Sequence, residues 1–341
     1  MIGLLSRIYL ALHHFVFRRR KEGAVKFEVR VVSVGNLSMG GTGKTPLVAY
    51  LAEKARKRNP MVVLRGYGGR SAGLVSDGRQ TVSTFDSAGD EAMLLAQVPG
   101  LRVAAGRDRI DLIRRFAGNS GIIFLDDAFQ NPSIARDVDL VLIDATLPPE
   151  RLRVFPGGKF REDVDALLRA SAVLLTRSDS VHARSWLSLL RTRFPSLPIF
   201  QSVHEFAGLV PFLQSTMLAA TTPEQKQRRG STVGRRTARH NPNIGVGAFC
   251  GIGNPQAFYS MLAENGMKVV STKSFGDHHR YTAPELTKLI QGSLRWITTE
   301  KDAVRIRDLD LDPSVLESIW IARLRLRITV GEKSFLKLVL G

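Results

Sequence analysis

Cysteine is nearly absent from this 341-residue chain: Cys250 stands alone, so no intrachain disulfide can form and nothing points to an oxidising compartment. Following Phe249, it reads as a buried packing residue. Long apolar runs are missing as well. The best candidate, IGLLSRIYLALHHFVF at residues 2–17, carries Arg7 and falls short of the ~20 residues a membrane span needs. No small-residue cleavage site follows it, which argues against a removed signal peptide. Acidic residues are the scarce charge. The 31 Asp and Glu face 49 Lys and Arg, and the resulting +18 predicts attraction to nucleic acid, a phosphorylated substrate or an acidic lipid surface. No internal repeat is found.

What remains is the composition of a folded protein, 44% hydrophobic and 23% charged, at a length that suits two domains. At the N-terminus Ile2, Leu5, Tyr9, Leu12 and Val16 recur at helical spacing, with Arg7 and His14 near a second face. Arg18, Arg19, Arg20 and Lys21 follow directly. Residues 1–28 therefore read as an amphipathic helix lying in a membrane interface, its basic collar on anionic headgroups at ~1 kcal/mol per charge. Docking of that helix on the protein's own core is the alternative. A second basic stretch, residues 221–242, holds Lys226, Arg228, Arg229, Arg235, Arg236 and Arg239 against Glu224 with almost no large apolar group, and reads as a flexible loop.

From residue 29 onward, short Val/Ile/Leu runs alternate with helical segments: VRVVSVGN, PMVVLRGYG, LRVAAG, GIIFLDDAFQ, DLVLIDA and SAVLLTRSD. Runs without polar alternation suit strands covered on both faces, so an α/β fold with a doubly wound, mainly parallel sheet is expected over residues 29–177. NIGVGAFCGIGNPQAFYSMLAENG and WITTEKDAVRI suggest a second, smaller α/β unit over 178–341.

The first strand feeds GNLSMGGTGKTP, residues 35–46. Its glycines let main-chain N–H groups turn toward a phosphate, and a helix starting near Lys44 adds its dipole. Ser38, Met39, Gly40, Gly41, Thr42, Gly43, Lys44 and Thr45 are the nucleotide-binding candidates; Lys44 would neutralise β- and γ-phosphate charge and Thr45 would ligate Mg²⁺. Ser38 stands where the strict P-loop pattern has Gly, so the loop is a variant. Asp126 and Asp127 end an apolar strand, where paired acids suit a Mg²⁺ partner. Asp90 and Glu91 open a helix, which their charge alone would favour. In FGDHHRYT, Asp277, His278, His279 and Arg280 lack the Cys or third spaced His of a zinc site; an Asp beside a His suits proton handling.

Taken in order, GNLSMGGTGKTP, RGYG (65–68), GDEAMLLA (89–96), GRDR (106–109), DDAFQ (126–130), DLVLIDA (139–145), FPGGKFRE (155–162), DHH (277–279) and TEKDA (299–303) resemble the tetraacyldisaccharide 4'-kinases of lipid A biosynthesis. The resemblance implies a P-loop NTPase-like kinase on the cytoplasmic face of a bacterial inner membrane. It would use ATP and Mg²⁺ to phosphorylate the 4'-hydroxyl of a tetraacyldisaccharide 1-phosphate and give lipid IVA. It makes Lys44 and Thr45 nucleotide and metal groups, and Asp90 the catalytic base, paired with His278. Glu91, Asp127 and Glu162 look like metal or phosphate-site residues. Arg65, Tyr67, Arg107, Gln130 and Arg161 look like contacts to substrate phosphate or glucosamine. The chain departs from the family pattern at Ala128, where Gly is usual, at Asn131, where His is usual, and at Lys159-Phe160, where Pro-Leu usually precedes Arg.

The expected partners are thus the acylated disaccharide phosphate and an anionic membrane surface, with the protein a monomer and nucleic acid not among its ligands. Two other readings compete. Thr176-Arg177-Ser178-Asp179 resembles the [NT]-K-x-D that reads guanine, which would suit a P-loop GTPase or metallochaperone. A basic nucleic-acid-binding ATPase would place its charge in a groove with stacking aromatics; here the charge gathers behind the apolar helix and in an aromatic-free loop.

Overall fold

The computed structural model describes residues 2–67, 69–214 and 244–341; the basic stretch 221–242 lies outside them. The chain opens with α1 (Ile2–Glu22). Then follow β1 (Arg30–Asn36), α2 (Lys44–Lys54), β2 (Pro60–Leu64), β3 (Gly73–Asp77), α3 (Phe85–Ala88), α4 (Asp90–Leu95), β4 (Arg102–Ala105), α5 (Arg109–Phe116), β5 (Ile122–Asp126), β6 (Val138–Asp144) and β7 (Ala172–Thr176). Next come α6 (Ala183–Arg193), β8 (Ile199–Pro211), β9 (Val246–Cys250), α7 (Pro255–Glu264), β10 (Val269–Ser274), α8 (Ala283–Leu289), β11 (Arg295–Thr299), α9 (Glu300–Ile306), α10 (Pro313–Ser318), β12 (Ile319–Val330) and α11 (Glu332–Leu340).

Among the described residues, all of the strands join one 12-stranded sheet in the order β10-β9-β11-β12-β8-β7-β6-β1-β5-β2-β4-β3. Pairing is parallel except for β3 with β4 and β8 with β12. In β1, β2, β5 and β7 nearly every residue is buried, which is why these stretches show no polar alternation. Helices cover them: Leu47, Val48 and Leu51 of α2 pack on Val32, Val62 and Phe124 in one core layer, while Leu112 and Ile113 of α5 meet Val63 and Ile123 in another. The residue 177/178 boundary falls after β7, and the sheet runs on through β8.

The β8–β12 ribbon is the long antiparallel seam between the two halves, and its register passes from Trp320 opposite Pro211 to Val330 opposite Gln201. Beyond it, Phe249, Tyr281, Trp296 and Ile319 form a separate core under α8, α9 and α10. Cys250 is fully buried in β9, in the packing role its neighbours suggest. The seam places α9 of the later half against α4 of the earlier one.

Candidate active site

The site begins where β1 ends. Gly35 must lack a side chain: a Cβ there would lie 2.5 Å from Cβ of Phe129. Asn36, buried, donates through Nδ2 to the Ser38 carbonyl at 2.7 Å. Gly40 and Gly43 take positive φ of 110° and 92°, the left-handed conformations that glycine tolerates best. No atom would come within 4 Å of a Cβ at Gly40 or Gly41, so the mouth of the loop stands open. Lys44 starts α2 directly after Gly43, so the helix N-terminus and its unpaired N–H groups face that opening.

Beside this loop, β5 delivers the two acids to different environments. Asp126 is buried and its Oδ1 has no hydrogen-bond partner. Burial and the nearby charge of Glu91 push its carboxyl up to about 7, against the pull of Lys44. Asp127, in a left-handed conformation at φ 51°, is engaged on every side. Lys44 Nζ lies 3.5 Å from its Oδ1, and Arg161 Nη1 donates to both oxygens at 3.1 and 3.0 Å. Burial would raise Asp127, but those cations outweigh it and hold the carboxyl below its usual range. The buried Arg109 completes the frame, donating to the carbonyls of Asp126 and Asp127.

FPGGKFRE forms a brace along the phosphate loop. Met39 N donates to the Lys159 carbonyl and Arg161 N to the Leu37 carbonyl, both at 2.7 Å. Gln130 Nε2 donates to the Asn36 carbonyl, and its Oε1 accepts from Arg161. Arg161 and Gln130 are therefore wired into the loop and to Asp127. Glu162 turns away from them: its Oε1 accepts from Arg169 at 2.6 Å, and its Oε2 faces His13 of α1 at 3.7 Å.

Next to α2 packs α4, with Asp90 at its first turn. The Asp90 carboxylate is buried, and its Oδ1 accepts from Glu91 N at 2.9 Å. Oδ2 receives Arg305 Nη2 at 2.5 Å and stands 3.0 Å from His278 Nδ1. Burial pushes the Asp90 carboxyl upward, yet the Arg305 hydrogen bond with the charges of Lys301, Arg305 and His278 prevails and lowers it. His278 itself sits at φ 58°, with a side chain 60% exposed, so its ring reaches from Asp90 toward solvent. Glu91 points to Lys301 at 3.7 Å. His279 is spoken for by Glu285 at 2.9 Å and by stacking on Phe275.

Arg305 is the functional residue that motif reading missed. Buried on α9, it joins Asp90, Asp302 at 2.9 Å and the Gly251 carbonyl at 2.7 Å, and lies 3.3 Å from His278 Nδ1. Asp302 in turn accepts from Gly251 N, Tyr281 and Thr299. TEKDA flagged the helix start; nothing in the sequence tied Arg305 to a carboxylate 215 positions away.

Arg65, Tyr67 and Arg107 emerge exposed at the carboxyl ends of β2 and β4, where a doubly wound sheet binds ligands. Arg65 lies over the Tyr67 ring and donates to its hydroxyl at 2.7 Å. In the TRSD stretch, Thr176 Oγ1 donates to the Thr42 carbonyl and Arg177 pairs with Asp144 and reaches the Gly41 carbonyl, so both brace the phosphate loop from behind.

The tetraacyldisaccharide-1-P 4'-kinase family matches the chain over residues 1–341. The tetraacyldisaccharide 4'-kinase of Halothermothrix orenii is 32% identical over 348 residues, covering 97% of this chain and 88% of that protein. That of Geobacter metallireducens is 37% identical over 289 residues, covering 81% and 78%. The crystal structure of LpxK from Aquifex aeolicus in complex with ATP matches with a TM-score of 0.75 at 26% identity, covering 98% of this chain and 96% of that one.

Proposed function

The chain belongs to the tetraacyldisaccharide 4'-kinase family and phosphorylates the lipid A precursor with ATP, and from that premise we propose how its residues divide the work. The Asp90–His278 pair takes the proton of the 4'-hydroxyl while Lys44 and the loop amides hold the γ-phosphate. A sugar hydroxyl does not ionise near neutrality, so a positioned acceptor is required as the phosphoryl group arrives. One observation carries this assignment: Asp90 Oδ2 lies 3.0 Å from His278 Nδ1, although the two residues come from opposite halves of the chain.

Lys44 now rests on Asp127, and binding of a triphosphate would draw it toward the β- and γ-oxygens. Mg²⁺ fits the Thr45 hydroxyl and Asp126, whose orphaned, buried Oδ1 is a hard oxygen ligand without a partner. When bound, the ion would neutralise charge on the phosphoryl group. Arg65, Tyr67 and Arg107 offer an exposed cationic and aromatic face for the 1-phosphate or a glucosamine ring. The matched family leaves the GTPase reading unsupported, and the TRSD residues that suggested it serve here as a brace.

The acceptor's acyl chains give α1 its task. No described helix is long and apolar enough to cross a membrane. Leu5, Ile8, Leu12, Phe15 and Val16 line one exposed face of α1, an unusually apolar solvent-facing stripe. We infer that this face lies in the cytoplasmic leaflet of the inner membrane with Arg18–Lys21 on its headgroups. The test of the function is transfer of label from γ-labelled ATP to tetraacyldisaccharide 1-phosphate. Label on the lipid in the presence of this protein is the expected result; hydrolysis without lipid labelling would reject it.

A further inference from the structure

Where α1 meets the brace, two polar groups are left without partners. Glu162, 1% exposed, gives Oε1 to Arg169 and has no hydrogen bond at Oε2. Burying an ionisable oxygen unsatisfied is costly, so its retention asks for a ligand. His13 Nδ1 is buried and equally unpartnered, 3.7 Å from that oxygen. His14 adds a third donor, and one ligand atom from each of the three residues lies within 4.8 Å of the others.

Two imidazoles and one carboxylate make a borderline donor set that favours zinc-like ions over magnesium. Tetrahedral bonds of ~2.0–2.1 Å place neighbouring ligand atoms roughly 3.3 Å apart, so the widest separation need close by at most about 1.5 Å. The neighbouring cations are Arg169, Arg161 and Arg20. Arg169 is stacked over Phe17 and Phe129 and bonded to the other carboxylate oxygen.

We propose that His13, His14 and Glu162 bind one divalent transition-metal ion of the zinc class, clasping α1 to the segment that braces the phosphate loop. The ion is distinct from any held by the nucleotide: Arg161, the residue before Glu162, points to Asp127, whereas Glu162 points to α1.

The test uses untagged full-length protein in detergent, stripped with chelator and titrated with Co²⁺ and then Zn²⁺. The expected result is one Co²⁺ per chain with the visible absorption of a four- or five-coordinate ion, displaced by Zn²⁺ and not by excess Mg²⁺. His14→Ala removes an exposed side chain and should weaken binding at least tenfold with an unchanged circular dichroism spectrum. Glu162→Gln should abolish it. Zn²⁺ should raise the Tm of the unmodified protein and of neither variant. Equal Co²⁺ uptake by all three proteins, or no uptake beyond that displaced by Mg²⁺, would overturn the site. The readout involves no phosphoryl transfer, so either account can fail alone.

Discussion

Residues divide into those whose role a local motif states and those whose role exists only in three dimensions. Lys44, Thr45, Asp126 and Asp127 belong to the first group, because a phosphate loop after a buried strand and an acid pair at a strand end are short-range patterns. Arg305 belongs to the second. It anchors Asp90 from α9, so Arg305→Met should lower kcat about 100-fold with KM for ATP nearly unchanged. Arg305→Lys should restore only part, since one ammonium cannot reproduce its contacts to Asp90, Asp302 and Gly251. A large rise in KM for ATP would instead mark a general structural role. Asp126 permits a pH prediction. Its carboxyl is raised from the model-compound value of 3.8 to about 7, so the folded state holds the proton more tightly than the unfolded one. That contribution is complete below about pH 4 and is lost as pH rises toward 7 and above. Without nucleotide or metal, Asp126→Asn should therefore raise Tm at pH 8, by at most the equivalent of about 4 kcal/mol, and change it little near pH 4. Thermal melts at the two pH values decide the sign.

At the scale of elements, the central strands were legible because burial on both faces removes polar residues from them. The β8–β12 ribbon was not, because Arg323, Arg325 and Arg327 alternate with Leu324, Leu326 and Ile328 and break the apolar run. Helix α1 shows how periodicity finds a helix yet misplaces its face. The expected stripe included Tyr9, but Tyr9 meets the Phe155 ring edge-on and Ser6 donates to the Val154 carbonyl, so that side docks on the body. The outward stripe is Leu5, Ile8, Leu12, Phe15 and Val16. The helix therefore packs one face on the body and leaves an apolar stripe exposed on the other. Ile8→Glu with Leu12→Glu should move the protein from sedimenting membranes to the supernatant, while its Tm stays within a few degrees because neither side chain packs on the body. Unchanged sedimentation would reject the anchor. Gly35→Ala tests the loop scaffold. The added methyl meets Phe129, so the phosphate loop or β5's exit must shift, and ATP affinity should fall at least tenfold in equilibrium binding.

Among the described residues the molecule is two α/β halves on one sheet, joined by the β8–β12 seam and in contact at Asp90, Arg305 and His278. Parallel strands put their carboxyl ends on one edge, so the phosphate loop, the β5 acids and the exposed Arg65 and Arg107 share that edge. Burial of Asp90 against α9 fixes its carboxylate through Arg305; in the proposed mechanism that preorganisation spares reorganisation at the moment of transfer. Part of the +18 charge acquires a location as well: Arg18–Lys21 form the C-terminal end of α1, next to its exposed apolar stripe. The halves were visible in the sequence as two alternating patterns; their contact was not, because it rests on pairs about 200 residues apart.

The central claim, that Asp90 and His278 act as one proton-accepting unit over a bound triphosphate, is tested most directly by single-turnover transfer of labelled phosphate to the lipid acceptor. The comparison is between the unmodified protein, Asp90→Asn, His278→Ala and the double variant, each saturated with ATP. Each single variant should lose at least tenfold in rate with ATP affinity retained, and the double variant should be little slower than the worse single. A rate within twofold of the unmodified protein in either single variant, or losses that multiply in the double, would contradict that claim.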